Sequence, residues 1–179
     1  MGISNYFRAL PIDDELVRLA RIDKDIAEDA LFPILLFDVP SLHIMLRPPG
    51  GGPCLDLERR YPQLREWHLR EHKWDPLDFA KVICSASGID LKPGQPGFEE
   101  SLALRFVRGD RIFSEQFKST TGHPIHVSSP EVVREFCDFA NSFDPGLLPD
   151  GFGQSFVEIA GFYQRIAADD RLAVFVMRT

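Results

Sequence analysis

Residues 172–177 (Leu-Ala-Val-Phe-Val-Met), an unbroken apolar run near the end of the chain, restrict the possible folds more than any other segment. Such a run after the Asp169-Asp170 turn is typical of a buried strand. The helices and strands expected elsewhere do not alternate regularly, which disfavours a doubly wound parallel sheet. The sequence therefore predicts an α+β fold in which a small mixed sheet is covered by helices and holds this last strand in its interior.

Size and charge limit the kind of protein. The chain has 179 residues, 44% of them hydrophobic, which predicts one compact domain over residues 1–179 with a self-sufficient core. The formal net charge of -7 argues against non-specific binding to nucleic acid or to an anionic membrane, because both need clustered Lys and Arg. We therefore expect neither as a partner.

Cysteine usage and motifs point to a cytoplasmic protein without a cofactor. Cys54, Cys84 and Cys137 are far apart in the sequence and are interpreted as reduced thiols. The first residues have no apolar core of the kind a signal peptide needs. The glycine- and proline-rich residues 47–53 are interpreted as a loop, since the Lys-Ser or Lys-Thr of a phosphate-binding loop does not follow them. No cofactor is expected.

Hydrophobic spacing and breaker residues predict the elements of the first two thirds of the chain. A strand is expected within residues 3–10, followed by a helix that Asp13 or Asp14 caps and Pro33 ends. Residues 55–86 are expected to be helical, with breaks before Pro62 and at Asp75-Pro76. Residues 102–107 and 111–117 are predicted to form a hairpin around Gly109-Asp110.

The last third carries the clearest helix signal. Ser128-Ser129-Pro130-Glu131 combines capping hydroxyls, a proline suited to a first turn and a carboxylate near the positive end of a helix. The apolar stripe after it predicts a core-facing helix over residues 130–143. A second apolar stripe, from Phe156 to Ala167, predicts the helix that leads into the last strand.

One constellation could carry chemistry, namely His68-Leu69-Arg70-Glu71-His72. On a helix, residues four apart share a face, so His68 and His72 could ligate one Zn²⁺ while Glu71 activates a water molecule. This is the hypothesis of a metal-dependent hydrolase. The alternative, a charged helix segment facing solvent, is favoured because the sequence selects no third ligand. We accordingly expect no catalytic residue and no bound metal.

Other reactive side chains have simpler interpretations. His123 and His126 are interpreted as residues of a loop that leads into a strand. Cys137 lies between two expected core positions, Phe136 and Phe139, and is interpreted as a packed thiol rather than a nucleophile. None of these residues predicts catalysis.

Several segments together resemble a known family. They are Met1-Gly2-Ile3-Ser4-Asn5-Tyr6-Phe7-Arg8, Lys73-Trp74-Asp75-Pro76-Leu77-Asp78-Phe79, Ser129-Pro130-Glu131-Val132-Val133, and Gly161-Phe162-Tyr163-Gln164-Arg165 followed by the last apolar run. This set is similar to the YfbM-like family of uncharacterised bacterial proteins (domain of unknown function 1877). The chain has Asp78 where the family usually has His, and residues 58–72 look like an insertion. The resemblance implies a compact α+β bacterial cytosolic protein and supplies no activity.

The sequence thus favours a non-enzymatic protein-binding or regulatory domain. One concrete form is an immunity-type protein that neutralises a toxin enzyme, since an acidic surface steers a basic partner. The alternative is the metal-dependent hydrolase that uses His68, Glu71 and His72. The oligomeric state is not predicted.

Overall fold

The structure is a computed structural model that describes residues 4–37, 59–116, 118 and 122–179. Strand β5 (Leu172–Arg178) lies in the middle of a sheet, and its residues from Leu172 to Met177 are each at most 3% exposed. The apolar run therefore forms the buried strand that the sequence predicts.

Four further strands complete the sheet: β1 (Asn5–Pro11), β2 (His68–His72), β3 (Arg111–Ile112) and β4 (His126–Ser128). The spatial order is β2-β1-β5-β4-β3, and each of these pairings is antiparallel. The expectation of a mixed sheet is thus corrected. An apolar run reveals that a strand is buried, but its direction relative to its neighbours depends on how the intervening helices return the chain.

Helices cover both faces of the sheet. They are α1 (Glu15–Ala20), α2 (Lys24–Ile26), α3 (Phe32–Leu36), α4 (Pro76–Ala86), α5 (Leu102–Arg108), α6 (Pro130–Ser142) and α7 (Phe152–Ile166), with a π-helical turn (Ala27–Leu31) and a 3-10 turn (Pro145–Leu147). On one face Phe7 packs against Phe162 and Tyr163 of α7. On the other, Arg8 donates hydrogen bonds to the carbonyls of Leu64 and Phe37. The α+β fold is confirmed, and no helix in the described ranges is long and apolar enough to cross a membrane.

The first helix differs from the prediction. Asp14 caps it as expected, accepting from the Leu16 N–H at 2.8 Å, but α1 already ends at Ala20 and Asp23 caps a new turn. Pro33 does not end the helical segment; it lies in the first turn of α3. Proline has no N–H to donate, and the wider π-helical turn before it accommodates its ring within a continuous helical path.

The helix prediction for residues 55–86 is wrong in its middle part. Residues 68–72 form strand β2, and α4 begins only at Pro76, where Asp75 accepts from the Leu77 N–H at 2.8 Å. The strand is held by its backbone pairing with β1, which outweighs the high helix propensity of Leu, Arg and Glu. Loop residues 47–53 lie outside the described residues.

The predicted hairpin is also wrong. Residues 102–107 belong to helix α5, whose first turn is capped by Ser101 Oγ, 3.2 Å from the Leu104 nitrogen. The helix ends at Gly109, which has a φ of +94°. A serine before and a glycine after an apolar segment are helix boundary signals, and the short Gly-Asp turn signal concealed them. Of the second predicted strand, Arg111–Ile112 pairs as β3, residues 113–116 are not assigned to a strand, and residue 117 lies outside the described residues.

The C-terminal third follows the prediction closely. Helix α6 begins at Pro130 with Ser129 at the N-cap position, although the Ser129 side chain makes no hydrogen bond to the helix backbone. Ser128, the other candidate cap, is fully buried, and its Oγ accepts from the Asp110 N–H at 3.1 Å. The apolar face of α7 is buried from Phe156 to Ile166, as expected.

Candidate functional site

A cleft of about 410 Å³ opens beside β3 and β4. Its floor is one face of the sheet, because Asn5 pairs with Arg178 and His126 pairs with Val176 in register. The sides of the cleft are formed by Arg108, at the end of α5, and by the first residues of α4. Further lining residues come from the turns and from β3: Glu99, Asp110, Arg111, Ile112, His123 and Pro124.

Gly109 brings the end of α5 close to the floor. A Cβ at this position would lie 2.8 Å from the His126 Cβ and 3.4 Å from the Val176 Cγ2, and the positive φ is also unfavourable for other residues. The hydrogen bond from the Asp110 N–H to Ser128 holds the next residue against β4. Arg108 is therefore placed at the cleft by backbone contacts that only glycine permits.

Three arginines from different elements converge on the cleft. Arg108 Nη1 lies 2.6 Å from Glu99 Oε2, and Arg178 Nη2 lies 2.6 Å from Asp75 Oδ2. Arg111 is exposed and has no ion pair with any residue in the described ranges. Guanidinium groups bind carboxylates and other oxyanions through parallel N–H donors, so this arrangement suits an anionic group.

The acidic residues at the cleft are already engaged. The Asp110 carboxylate lies 2.6 Å from Arg105 Nε, and Arg105 also contacts Glu135 of α6 at 2.8 Å. Glu99 is paired with Arg108. The exposed guanidinium of Arg111 makes no ion pair with the described residues, although the Glu131 carboxylate of α6 lies near enough to interact with its charge.

His126 contributes a neutral ring. Burial, together with the nearby positive charge of Arg108, lowers the pKa of its imidazole to about 4, against the smaller opposing effect of Glu99. Its side chain also hydrogen-bonds the backbone of Pro124. A histidine with this pKa is a weak general base near pH 7, because efficient bases titrate near the working pH. At the cleft it acts as an uncharged polar surface.

No protein-family model, no curated protein sequence and no solved structure matches this chain. The resemblance to the YfbM-like family therefore stays a prediction from the sequence segments themselves.

The structure separates the two histidines of the predicted zinc motif. His68 pairs with Arg8 and His72 pairs with Asn5, and the register shifts between these two positions. Asn5 and Arg8 are three residues apart in β1, so their side chains point to opposite faces of the sheet. Because paired residues share a face, His72 and His68 also lie on opposite faces, and the extra residue in β2 makes this possible. The helix that the hydrolase hypothesis needs is absent from this segment, and the Glu71 side chain lies outside the described residues.

His72 is a packed residue. Its side chain is 7% exposed, and its ring centroid lies 6.4 Å from Phe7 and 5.8 Å from Trp74. Burial lowers the pKa of the imidazole, and Glu158, whose Oε2 lies 3.5 Å from Nε2, opposes that shift. Within the described ranges no group of three His, Cys, Asp or Glu side chains is arranged to hold a metal ion.

The described cysteines are packed as well. Cys84 is buried and Cys137 is half-buried, and burial raises the pKa of both thiols. A thiol with a raised pKa is protonated at neutral pH and is a weak nucleophile. Cys54 lies outside the described residues.

Sequence reasoning considered His123 and His126 but missed the arginines that line the cleft. Arg108 was part of an expected hairpin turn, and Arg178 was a single charge after an apolar run. The usable signal was the Ser101 to Gly109 spacing, which marks a short helix with arginine in its last turn. The convergence of Arg108, Arg111 and Arg178 depends on strand register, which the sequence does not display.

Proposed function

We propose that this chain is a non-enzymatic domain that binds another protein, and that the cleft holds a carboxylate of the partner beside an apolar side chain. The observation that carries the proposal is the convergence of Arg108, Arg111 and Arg178 on one cleft of a chain whose net charge is -7. A bacterial, cytoplasmic setting, as the resemblance implies, is part of the same proposal.

Shape and polarity support a side chain as the occupant. Leu77, Ile112 and Val176 supply apolar surface next to the guanidinium groups. A volume of about 410 Å³ lies toward the small end of the range of roughly 300–1,000 Å³ that ligand pockets occupy. The cleft therefore suits one or two side chains of a partner.

The pKa values of His126 at the cleft and of the two described thiols elsewhere in the fold support binding rather than catalysis. The pKa of His126 lies at about 4, and the pKa values of the thiols of Cys84 and Cys137 are raised. A nucleophile or base that works near pH 7 needs the opposite shifts. An immunity-type protein is one form of the proposal: the negative net charge accelerates encounter with a basic toxin, and one acidic residue of that toxin enters the cleft.

Two blocked peptides test the proposal. Acetyl-Leu-Glu-Leu-amide and acetyl-Leu-Gln-Leu-amide differ only in the carboxylate, and each is titrated into ¹⁵N-labelled protein while amide shifts are recorded. We expect the Glu peptide to shift the amides of Arg108, Asp110 and Ile112 in a saturable manner. The Gln peptide should bind more weakly, because it cannot form the charge-assisted hydrogen bonds.

A matched pair of variants separates the cleft from overall charge. Arg111→Gln and Arg18→Gln each remove one exposed arginine, the first at the cleft and the second on α1. Arg111→Gln should weaken the Glu peptide about two- to fivefold, the size expected for an exposed ion pair, and Arg18→Gln should leave it unchanged. Equal binding of the two peptides, or equal loss in the two variants, would contradict the proposal.

A further inference from the structure

Glu99 and Arg108 form an unequal ion pair. The Glu99 side chain is 60% exposed, whereas that of Arg108 is 23% exposed. We infer that Glu99 is a tethered competitor: its carboxylate occupies Arg108 in the free protein, and an acidic side chain of the partner replaces it. This inference rests on the proposed function and specifies how the same cleft is regulated.

Replacement of Glu99 requires movement of its side chain alone. The backbone on one side is fixed by Phe98, which is fully buried, and on the other by Ser101, the cap of α5. The Ser101 N–H also donates to the Phe98 carbonyl at 3.0 Å. Exposed side chains change rotamer within picoseconds to nanoseconds, so this exchange needs no change of fold.

Arg108 keeps a contact when the Glu99 carboxylate leaves. Its Nη2 lies 3.4 Å from the backbone carbonyl oxygen of Glu99, and that carbonyl stays in place. The contact limits the movement of the guanidinium group, so Nη1 remains directed toward an incoming carboxylate. Preorganisation of this kind reduces the entropy that binding would otherwise cost.

The second ion pair of the cleft, between Asp75 and Arg178, has a carboxylate that is held in place by a second hydrogen bond. Asp75, whose carboxylate pairs with Arg178, is 24% exposed, and its other oxygen accepts from the Leu77 N–H as the cap of α4. Removing Asp75 from Arg178 would disturb the start of that helix. Glu99 caps no helix: among the described residues its carboxylate forms an ion pair with Arg108 and acts on His126 only through its charge.

Glu99→Gln tests the inference by removing the competing charge. Exposed ion pairs contribute about 0.2–1 kcal/mol, so loss of the internal competitor should tighten binding of acetyl-Leu-Glu-Leu-amide roughly 1.4- to fivefold. Glu100→Gln is the matched control, since it removes the same charge from the adjacent exposed position and should leave the affinity unchanged. Both affinities come from the amide-shift titration used for the wild-type protein.

A double variant locates the effect on Arg108. Arg108→Lys keeps the positive charge and removes the planar fork, and thermal melting verifies that this variant is folded. In the Arg108→Lys background, Glu99→Gln should improve binding less than it does in the wild-type background. An equal improvement in the two backgrounds would show that Glu99 does not act through Arg108 and would overturn the inference.

The remaining outcomes separate this inference from the proposed function. If the wild-type protein binds the Glu peptide and Glu99→Gln binds it equally well, the tethered competitor is wrong and the binding function stands. If Glu100→Gln tightens binding as much as Glu99→Gln, long-range charge explains the gain and the inference fails. If neither the wild-type protein nor Glu99→Gln binds the peptide, both proposals fail.

Discussion

Two histidines on the same face of the sheet have opposite surroundings. His72 pairs with Asn5 on the β2 side, where α7 and aromatic rings cover it. His126 pairs with Val176 on the β3–β4 side and lines an open cleft. Their residue type is the same, so the cover provided by neighbouring elements decides which of them belongs to a packed cluster and which to a candidate site.

The difference extends to the polar atoms around each histidine. On the β2 side, Trp74 Nε1 is buried without a hydrogen-bond partner among the described residues, and His72 Nε2 has only the 3.5 Å contact with Glu158. At the cleft, Arg108 Nε is likewise buried without a hydrogen-bond partner among the described residues, so such atoms lower stability on both sides. What distinguishes the cleft is the exposed Glu99 carboxylate that pairs with Arg108, which the proposed ligand would replace.

The covered edge (β2 with His72) and the open edge (the β3–β4 cleft with His126) both depend on β5, so a buried charge in this strand should unfold both. Val174 is fully buried in β5, and Val174→Asp would bury an unpaired carboxylate between the covering helices. We expect no cooperative thermal transition by circular dichroism. Val157→Asp, at a position 54% exposed on α7, is the control and should melt like the wild type. A cooperative transition in Val174→Asp would show that the edges are held independently of β5.

A change at Gly109 should affect the open edge selectively. Gly109→Ala introduces a Cβ 2.8 Å from the His126 Cβ at a φ of +94°, and we expect a cost of about 2–4 kcal/mol. Gly88→Ala has a similar φ of +73° with open space around the new Cβ, so it should cost only about 1 kcal/mol. Urea unfolding measures both values. Equal costs would mean that the close approach of α5 to the floor is unimportant.

The two serines before α6 should also differ. Ser128→Ala removes the buried acceptor of the Asp110 N–H and should cost about 1–3 kcal/mol, because that donor loses its partner. Ser129→Ala should cost less than about 0.5 kcal/mol, since the Ser129 side chain makes no bond to the helix backbone. Chemical denaturation of both variants checks the order. A larger loss in Ser129→Ala would restore the simple capping interpretation.

The sequence predicted the elements that have strong local signals. Residues 172–177 and the start of α6 at Pro130 were identified because an apolar run and a capping sequence are local properties. The strand at residues 68–72 was missed, since its charged composition is that of a helix surface and only its pairing with β1 makes it extended. Local signals fail where a distant strand supplies the stabilisation.

The candidate site was less predictable than the fold. Arg108 and Arg178 lie 70 residues apart in the sequence, and the register of β4, β5 and β1 brings them to one cleft. The alternative hypothesis of a zinc site at His68 and His72 depended on a helix over residues 68–72, and the strand with its register shift removes that geometry. A spacing argument is therefore only as reliable as the secondary structure it assumes.

The smallest expected effect distinguishes the two edges by pH. The folded-state pKa of His126 is about 4, below the value of about 6.5 expected in the unfolded chain, so folding disfavours its protonation. Stability should therefore be full above pH 6.5 and should fall as the pH decreases from 6.5 toward 4, because only the unfolded chain gains the proton. His126→Gln cannot take up that proton. Since the ring is half-buried, we expect this variant to lose about 1 kcal/mol less than the wild type between pH 7 and pH 4.5.

Urea unfolding at both pH values measures this difference, and the range above pH 4.5 keeps most carboxylates ionised. His72, whose pKa burial also lowers, remains in both proteins, so its contribution cancels in the comparison. An NMR titration of the His126 ring provides the independent check. A His126 pKa near 6.5 together with equal pH dependence in the two proteins would show that the imidazole is solvated, and the contrast between the open and covered edges would have to be sought in packing alone.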